Sequence, residues 1–186
     1  MSLHIVTRCT RQDPKWVAAV RESLKSLTID YRFVLVGPYA DNATTDDYIQ
    51  CECPPNDYGC LLNRYLETFP DDGQWVYVLD DDNILHPGFE EAFKSASPDC
   101  CLFVGSQQVT ADHVRVANPA RLTVQNVDFA QHCSRRDLIG DLRLWSIYRN
   151  DGYFLEELVI RAREAGRPIK VLQQVMSFYN AQRWLT

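Results

Sequence analysis

The chain of 186 residues carries 19 Lys and Arg against 25 Asp and Glu, a formal charge of −6, with 46% hydrophobic and 24% charged residues. These are the proportions of a globular protein of one-domain size; they exclude a disordered chain, a coiled coil and a collagen-like rod. An acidic chain without a long basic run is not a general nucleic-acid binder, so handling a polyanion would require a cation or a local cluster of Arg and Lys.

In chain order, Leu3–Thr7 is a β-rich run. Asp13-Pro14 then supplies a cap and a first-turn proline for a helix with Trp16, Val17, Val20, Leu24 and Leu27 at helical spacing. Arg32–Val36 is a second strand stopped by Gly37-Pro38, and Tyr48–Cys53 a third stopped by Pro54-Pro55. Asn56 or Asp57 can cap a helix whose apolar face is Leu61, Leu62, Tyr65, Leu66 and Phe69. After the turn Asp71-Asp72-Gly73, the continuous apolar run Trp75–Leu79 suits the centre of a parallel sheet. Pro87–Ala96 reads as a short helix and Cys101–Val104 as a strand. Val114–Ala117 and Leu122–Phe129 read as strands, paired across Asn118-Pro119, with a charged loop after them. A helix over Asp151–Ala165, closed by Gly166 and Pro168, precedes a last strand, Ile169–Val175. Strands alternating with helices predict an α/β fold, a mostly parallel sheet flanked by helices, with a small mixed lobe late in the chain. We expect one domain over 1–186, divided into halves 1–83 and 84–186.

Seven cysteines, two of them adjacent (Cys100 and Cys101), argue for buried free thiols rather than a disulfide framework. Cys51, Cys53 and Cys60 have no downstream Cys/His pair at zinc spacing. The N-terminus runs directly into a strand, and no apolar run approaches the ~18 residues of a membrane span. A soluble protein of a reducing compartment, the cytoplasm, is the expectation.

The chemistry concentrates at Asp80-Asp81-Asp82-Asn83, directly after the apolar run. Ligands of open α/β sheets bind beyond the carboxyl ends of the strands. In an extended chain Asp80 and Asp82 project to one side and Asp81 to the other. Two carboxylates on one side make a hard-oxygen site for Mg²⁺ or Mn²⁺, and such a cation can bridge to a diphosphate.

The strand followed by Asp80-Asp81-Asp82-Asn83 resembles the DxD motif of GT-A fold, family 2-like glycosyltransferases. The order of the surrounding segments is similar too: a first strand ending Val6-Thr7-Arg8, Tyr58-Gly59-Cys60-Leu61-Leu62-Asn63-Arg64 on the helix before the motif, and Pro87-Gly88-Phe89 after it. Leu158 to Gly166 resembles the Arg-rich helix that follows the family's acidic catalytic motif. The resemblance implies a single Rossmann-like GT-A domain that uses a nucleoside-diphosphate sugar, UDP- or GDP-linked, and a glycan or other hydroxyl acceptor. It places Thr7, Arg8 and Arg11 near the nucleotide and its phosphates, Asn63 and Arg64 near base or ribose, Asp80 on the ribose with Asp81 beside it, and Asp82, with Asp80, on Mn²⁺ or Mg²⁺. Transfer requires a cation to neutralise the leaving diphosphate and a carboxylate to activate the acceptor hydroxyl. Asp151, beside Gly152 at a helix start, is the leading base for an inverting transfer; Glu157 is the reserve, since the family's Glu-Asp pair would fall on Phe154-Leu155. The C-terminal His ligand of many relatives is absent from the tail, where Arg183 and Trp184 could cover the diphosphate; Trp145 and Tyr148 could stack on an acceptor sugar. His132, the last histidine, reads as structural.

Three other readings compete. A haloacid-dehalogenase-type phosphohydrolase would carry its acidic motif on an early strand and need a later Lys. A nucleotidyltransferase would want a glycine-rich loop, and Thr7–Gln12 has no glycine. A non-catalytic sugar- or protein-binding module of the same fold would bind without turnover. At 186 residues, the chain is short enough for its class to be one part of a longer multidomain protein.

Overall fold

The computed structural model describes residues 2–40, 47–54, 58–119, 122, 127–144 and 150–181, apart from the side chains of Tyr58, Asn150 and Asp151. The first half is built as the apolar runs dictate: β1 (Leu3–Arg8), α1 (Lys15–Leu24), β2 (Tyr31–Gly37), β3 (Asp47–Gln50), α2 (Tyr58–Thr68) and β4 (Trp75–Val78). These strands lie in the order β3-β2-β1-β4, all parallel. Both faces of β1 are covered, and its six residues are all buried, as a central parallel strand requires.

The second half adds β5 (Ile84–Leu85), α3 (Phe89–Ala96), β6 (Leu102–Thr110), β7 (His113–Arg115), a 3-10 turn (Phe129–Gln131), β8 (His132–Arg135), α4 (Arg136–Ile139), α5 (Asn150–Glu164) and β9 (Ile169–Phe178). Here the sheet becomes mixed and continues β4-β8-β6-β9-β5, with β7 on β6. β8 enters antiparallel between β4 and β6, pairing Tyr77 with Cys133 and Val104 with His132. β7 covers part of the first expected late strand, Val114–Ala117, and pairs antiparallel with β6 across Ala111-Asp112. Of the second, Leu122–Phe129, residues 123–126 lie outside the described residues, and Phe129 starts a 3-10 turn. The stretch read as a charged loop contains β8 and α4, because Cys133 and Ser134 are buried and satisfy the open edges of β4 and β6.

Two cores result. On one face, Leu61, Leu62, Tyr65 and Leu66 of α2 and Leu155, Leu158, Val159 and Ala162 of α5 pack on Val6, Val34, Val76 and Val104. On the other, Val17, Val20 and Leu24 of α1 and Phe89 and Phe93 of α3 pack on Ile5, Leu35, Trp75, Tyr77 and Phe103. Each fully buried large apolar side chain contributes roughly 1.5–3 kcal/mol. Buried Arg136 joins the elements by donating to the carbonyls of Leu66, in the last turn of α2, and of Gly140.

The cysteines also depart from expectation. Cys53 and Cys60 form a disulfide, because the end of β3 and the first turn of α2 bring their Cα atoms within 5.9 Å. Cys9, Cys51, Cys100, Cys101 and Cys133 are free thiols. No helix among the described residues is long and apolar enough to cross a membrane.

Candidate functional site: an acidic turn faced by two arginines

The site lies where β1 and β4 end side by side. Hydrogen bonds from Leu79 N to Val6 O (2.9 Å) and from the Thr7 hydroxyl to Leu79 O (2.7 Å) hold the two strand ends together. Thr7 is fully buried in this clamp. Beyond Val78 the chain does not stay extended: Asn83 N donates to Asp80 O at 2.9 Å and closes a turn. The alternation expected for an extended triplet therefore gives way to a fan of carboxylates.

Each carboxylate has a distinct setting. Asp80 is gripped by Arg8 through two parallel bonds, Nε to Oδ1 and Nη2 to Oδ2, both 2.5 Å. Arg8 is buried, and its guanidinium lies over the Phe129 ring, 4.6 Å from the centroid. Asp81 is fully buried and turns back to order the loop after β1, accepting from Thr10 N (2.7 Å), Arg11 N (2.9 Å) and the Arg11 guanidinium. Asp82 accepts from Arg11 Nη2 at 2.8 Å through Oδ2, and no described residue donates to its Oδ1. Arg11 in turn rests on Trp16, 4.9 Å from the ring centroid.

Asp128, which the sequence does not single out, faces the same group. Its Oδ1 accepts from Ala130 N (2.9 Å), Gln107 Nε2 (3.3 Å) and Asn83 Nδ2 (3.4 Å). Among the described residues, four carboxylates thus confront the two guanidiniums of Arg8 and Arg11, an excess of negative charge. The excess shows in the acids themselves. Burial, with the negative charges of Asp80, Asp81 and Asp128 and despite Arg11, pushes Asp82 up to about 6. Burial also raises Asp81, against the pull of Arg11, and raises Asp128, with the charge of Asp80 adding to the shift.

A cleft of about 140 Å³ is lined by Arg8, Thr10, Arg11, Asp80, Asp81 and Asp82. Among the described residues no three His, Cys, Asp or Glu side chains converge as a ready-made metal cage. The chemistry of the donor set nonetheless fits a hard divalent cation: the oxygens are carboxylates, the local charge is negative, and Asp82 Oδ1 is open. Mg²⁺ is commonly held by one or two carboxylates with water and phosphate oxygens completing the shell.

The other expected residues lie apart from this cleft or outside description. Asn63 binds both backbone groups of Leu144, donating to its carbonyl and accepting from its N–H, each at 3.0 Å. Arg64 is exposed and pairs with Glu67 at 3.0 Å. Glu157 pairs at 3.4 Å with Arg161, which also reaches Asp141 and the Ile139 carbonyl. Asp151 stands in the first turn of α5; its side chain, like Trp145, Tyr148, Arg183 and Trp184, lies outside the described residues. His132 is buried between Phe129 and Phe154, neither ring nitrogen has a described partner, and burial pushes it down to about 3, so it is a neutral packing residue.

No family model and no curated protein sequence matches the chain. Its fold is similar to that of several solved structures. TarS of S. aureus superposes with a TM-score of 0.68 at 13% identity, over 96% of this chain and 36% of TarS. The TarS 1–349 structure in complex with UDP-GlcNAc gives 0.60 at 13%, over 96% of this chain and 58% of that one. The inositol-1-phosphate CTP transferase from T. maritima gives 0.53 at 14%, over 95% of this chain and 88% of that one. The chain thus spans about a third of the TarS chain it matches. At these identities the likeness is one of fold alone: a Rossmann-like α/β architecture with a central sheet flanked by helices.

Proposed function

We propose that this chain is a metal-dependent glycosyltransferase that moves a sugar from a UDP- or GDP-linked donor to a glycan or other hydroxyl acceptor, with inversion. The observation that carries the reading is the acidic turn at the end of β4, faced by Arg8 and Arg11 and carrying excess negative charge. A fold shared with a protein crystallised with UDP-GlcNAc supports it. Asp82, with Asp80, would hold Mn²⁺ or Mg²⁺, which supplies Lewis-acid neutralisation of the leaving diphosphate. Arg8 and Arg11, already at the cleft, are placed to meet phosphate oxygens once they leave the aspartates. Thr7 and Asp81 hold the strand ends and the arginine-bearing loop in register. Asn63 and Arg64, on α2, are assigned to the base side. Asp151, in the first turn of α5, is our general base; Glu157 is engaged by Arg161 and remains the reserve.

A nucleotidyltransferase is the second reading, favoured by the near-complete coverage of the CTP transferase from T. maritima. Calorimetric titration with UDP-, GDP- and TDP-linked sugars and with CTP, each with and without Mn²⁺, separates the two. Manganese-dependent binding of a nucleotide sugar, followed by release of nucleoside diphosphate in the presence of an acceptor, supports transfer. Binding of CTP alone favours the second reading, and no nucleotide binding in any condition refutes both. Binding without turnover points to a non-catalytic module.

A further inference from the structure

We propose that Arg11 is a gate on the acidic cleft: its guanidinium holds the cation's place at Asp82 and yields it when a diphosphate draws the guanidinium away, so that a divalent cation and a diphosphate assist each other's binding. The inference deepens the glycosyl-transfer reading and rests on it only in taking those two ligands to be the ones this cleft receives.

The first support is where the positive charge sits. Arg11 Nη1 donates to Asp81 Oδ1 and Nη2 donates to Asp82 Oδ2 at 2.8 Å, so one guanidinium spans two neighbouring carboxylates as a bridging cation would. No other described residue donates to the Asp82 carboxylate. A guanidinium keeps its charge at any working pH, so it leaves by moving and not by titrating. The side chains of Arg11 and Asp82 are only 30% and 16% exposed, and a divalent cation brought to Asp82 beside the guanidinium meets a like charge with little water between.

The second support is that the guanidinium can move without its loop. Asp81 divides its two oxygens: Oδ2 accepts from the backbone N–H groups of Thr10 (2.7 Å) and Arg11 (2.9 Å), while Oδ1 takes the guanidinium. Withdrawing the guanidinium leaves both backbone bonds in place, and the buried Asp81 charge keeps donors. The guanidinium also lies over the Trp16 ring in α1, 4.9 Å from its centroid. It can shift across that face while keeping a favourable contact.

The third support is the chemistry of the exchange. The planar fork of a guanidinium meets phosphate as it meets carboxylate, through two parallel hydrogen bonds. Arg11 and Asp82 line the same cleft, so a diphosphate there competes with Asp82 for the fork. Asp82, once released, stands beside Asp80 and Asp81 with no described donor of its own, which is the setting a divalent cation neutralises. Each ligand removes the counter-ion that opposes the other.

The test takes each ligand alone. Mn²⁺ binding without nucleotide is followed by loss of the free-ion paramagnetic resonance signal, and pyrophosphate binding by calorimetry in metal-free buffer. Arg11→Gln should bind Mn²⁺ at least about tenfold more tightly than wild type and pyrophosphate at least about tenfold more weakly, whereas a merely structural role would weaken both. Arg11→Lys keeps the charge without the fork and should still bind Mn²⁺ at least about threefold more tightly than wild type. Asp82→Asn should tighten pyrophosphate binding at least about fivefold in the wild-type background and by less than about twofold in the Arg11→Gln background, the mark of direct coupling. Unchanged or weakened Mn²⁺ binding in Arg11→Gln, wild-type Mn²⁺ affinity in Arg11→Lys, an equal Asp82→Asn effect in both backgrounds, or failure of either ligand to bind any variant overturns the proposal. Should Arg11→Gln fail to fold, Arg11→Met keeps an unbranched stem over Trp16 and takes its place. Opposed Mn²⁺ and pyrophosphate effects in a protein that binds no sugar nucleotide would refute glycosyl transfer and leave the gate standing. Sugar transfer with unchanged Mn²⁺ affinity in Arg11→Gln would do the reverse.

Discussion

The charge excess at the acidic turn should be visible in stability before any ligand is added, and Asp82→Asn is the direct way to see it. Folded Asp82 holds its proton up to about pH 6, against an ordinary value of 3.8. A group that binds its proton more tightly folded than unfolded stabilises the protein at low pH, and that contribution disappears as pH rises from about 4 to about 6. Two pKa units are worth about 3 kcal/mol. In metal-free buffer at pH 7.5, Asp82→Asn should therefore be more stable than wild type by up to about 3 kcal/mol, or ~6–12 °C in melting temperature for a chain of this size. The side chain is mostly buried, so bulk salt should screen little of the effect. Below pH 4, where wild-type Asp82 is protonated, the advantage should vanish. Added Mn²⁺ should then stabilise wild type and not the variant. Urea unfolding at pH 7.5 and pH 4, with EDTA and with Mn²⁺, tests all three statements. If Asp82→Asn is no more stable than wild type at pH 7.5, Arg11 outweighs the crowding of carboxylates and the cluster is an ordinary ion-pair network.

Other expectations follow from the frame around the site. Gly37 closes β2 at φ +143°, and a Cβ there would lie 2.5 Å from the Cys9 carbonyl oxygen, so Gly37→Ala should cost about 3 kcal/mol or more by urea unfolding. Phe129→Ala removes a fully buried ring between Arg8 and Phe154 and should cost about 3–5 kcal/mol. Asn63→Ala strands both backbone groups of Leu144 and should destabilise by about 1–3 kcal/mol; unchanged stability would free Asn63 for a purely ligand-facing role. Reducing Cys53–Cys60 reopens a short loop, worth about 2 kcal/mol in chain entropy. Thiol titration of the unreduced, denatured protein should count five groups, and a count of seven would exclude the bridge.

The parts of this fold that the sequence announces are those whose physics is local. Short β-rich or apolar runs mark β1, β2 and β4, helical spacing marks α1 and α2, Gly166 and Pro168 mark the end of α5, and Asp71-Asp72-Gly73 is the turn it reads as, with Gly73 at φ +83°. The acidic triplet is legible because charge at the end of a buried strand demands a reason. Its geometry is not, since the bond from Asn83 N to Asp80 O that folds it is invisible to a two-residue period. β8 escapes notice because His132-Cys133-Ser134-Arg135 has no alternating apolar pattern; only the flanking edges of β4 and β6 make it a strand. Asp128 is an acid in an irregular stretch, and it gains meaning from Gln107 and Asn83, each distant in sequence. The Cys53–Cys60 bridge likewise depends on how β3 meets α2 rather than on spacing.

The antiparallel insertion of β8 between β4 and β6 has a practical consequence for dissecting the molecule. The strand that ends in the acidic turn has β1 on one flank and β8, from the second half of the chain, on the other. A fragment stopping at Asn83 would contain the whole aspartate triplet yet leave the hydrogen-bonding groups of β4 facing solvent, a template for aggregation. The acidic turn is therefore tied through β4 to β8: any fragment from the N-terminal side that lacks residues 132–135 leaves one edge of the strand carrying the turn unpaired.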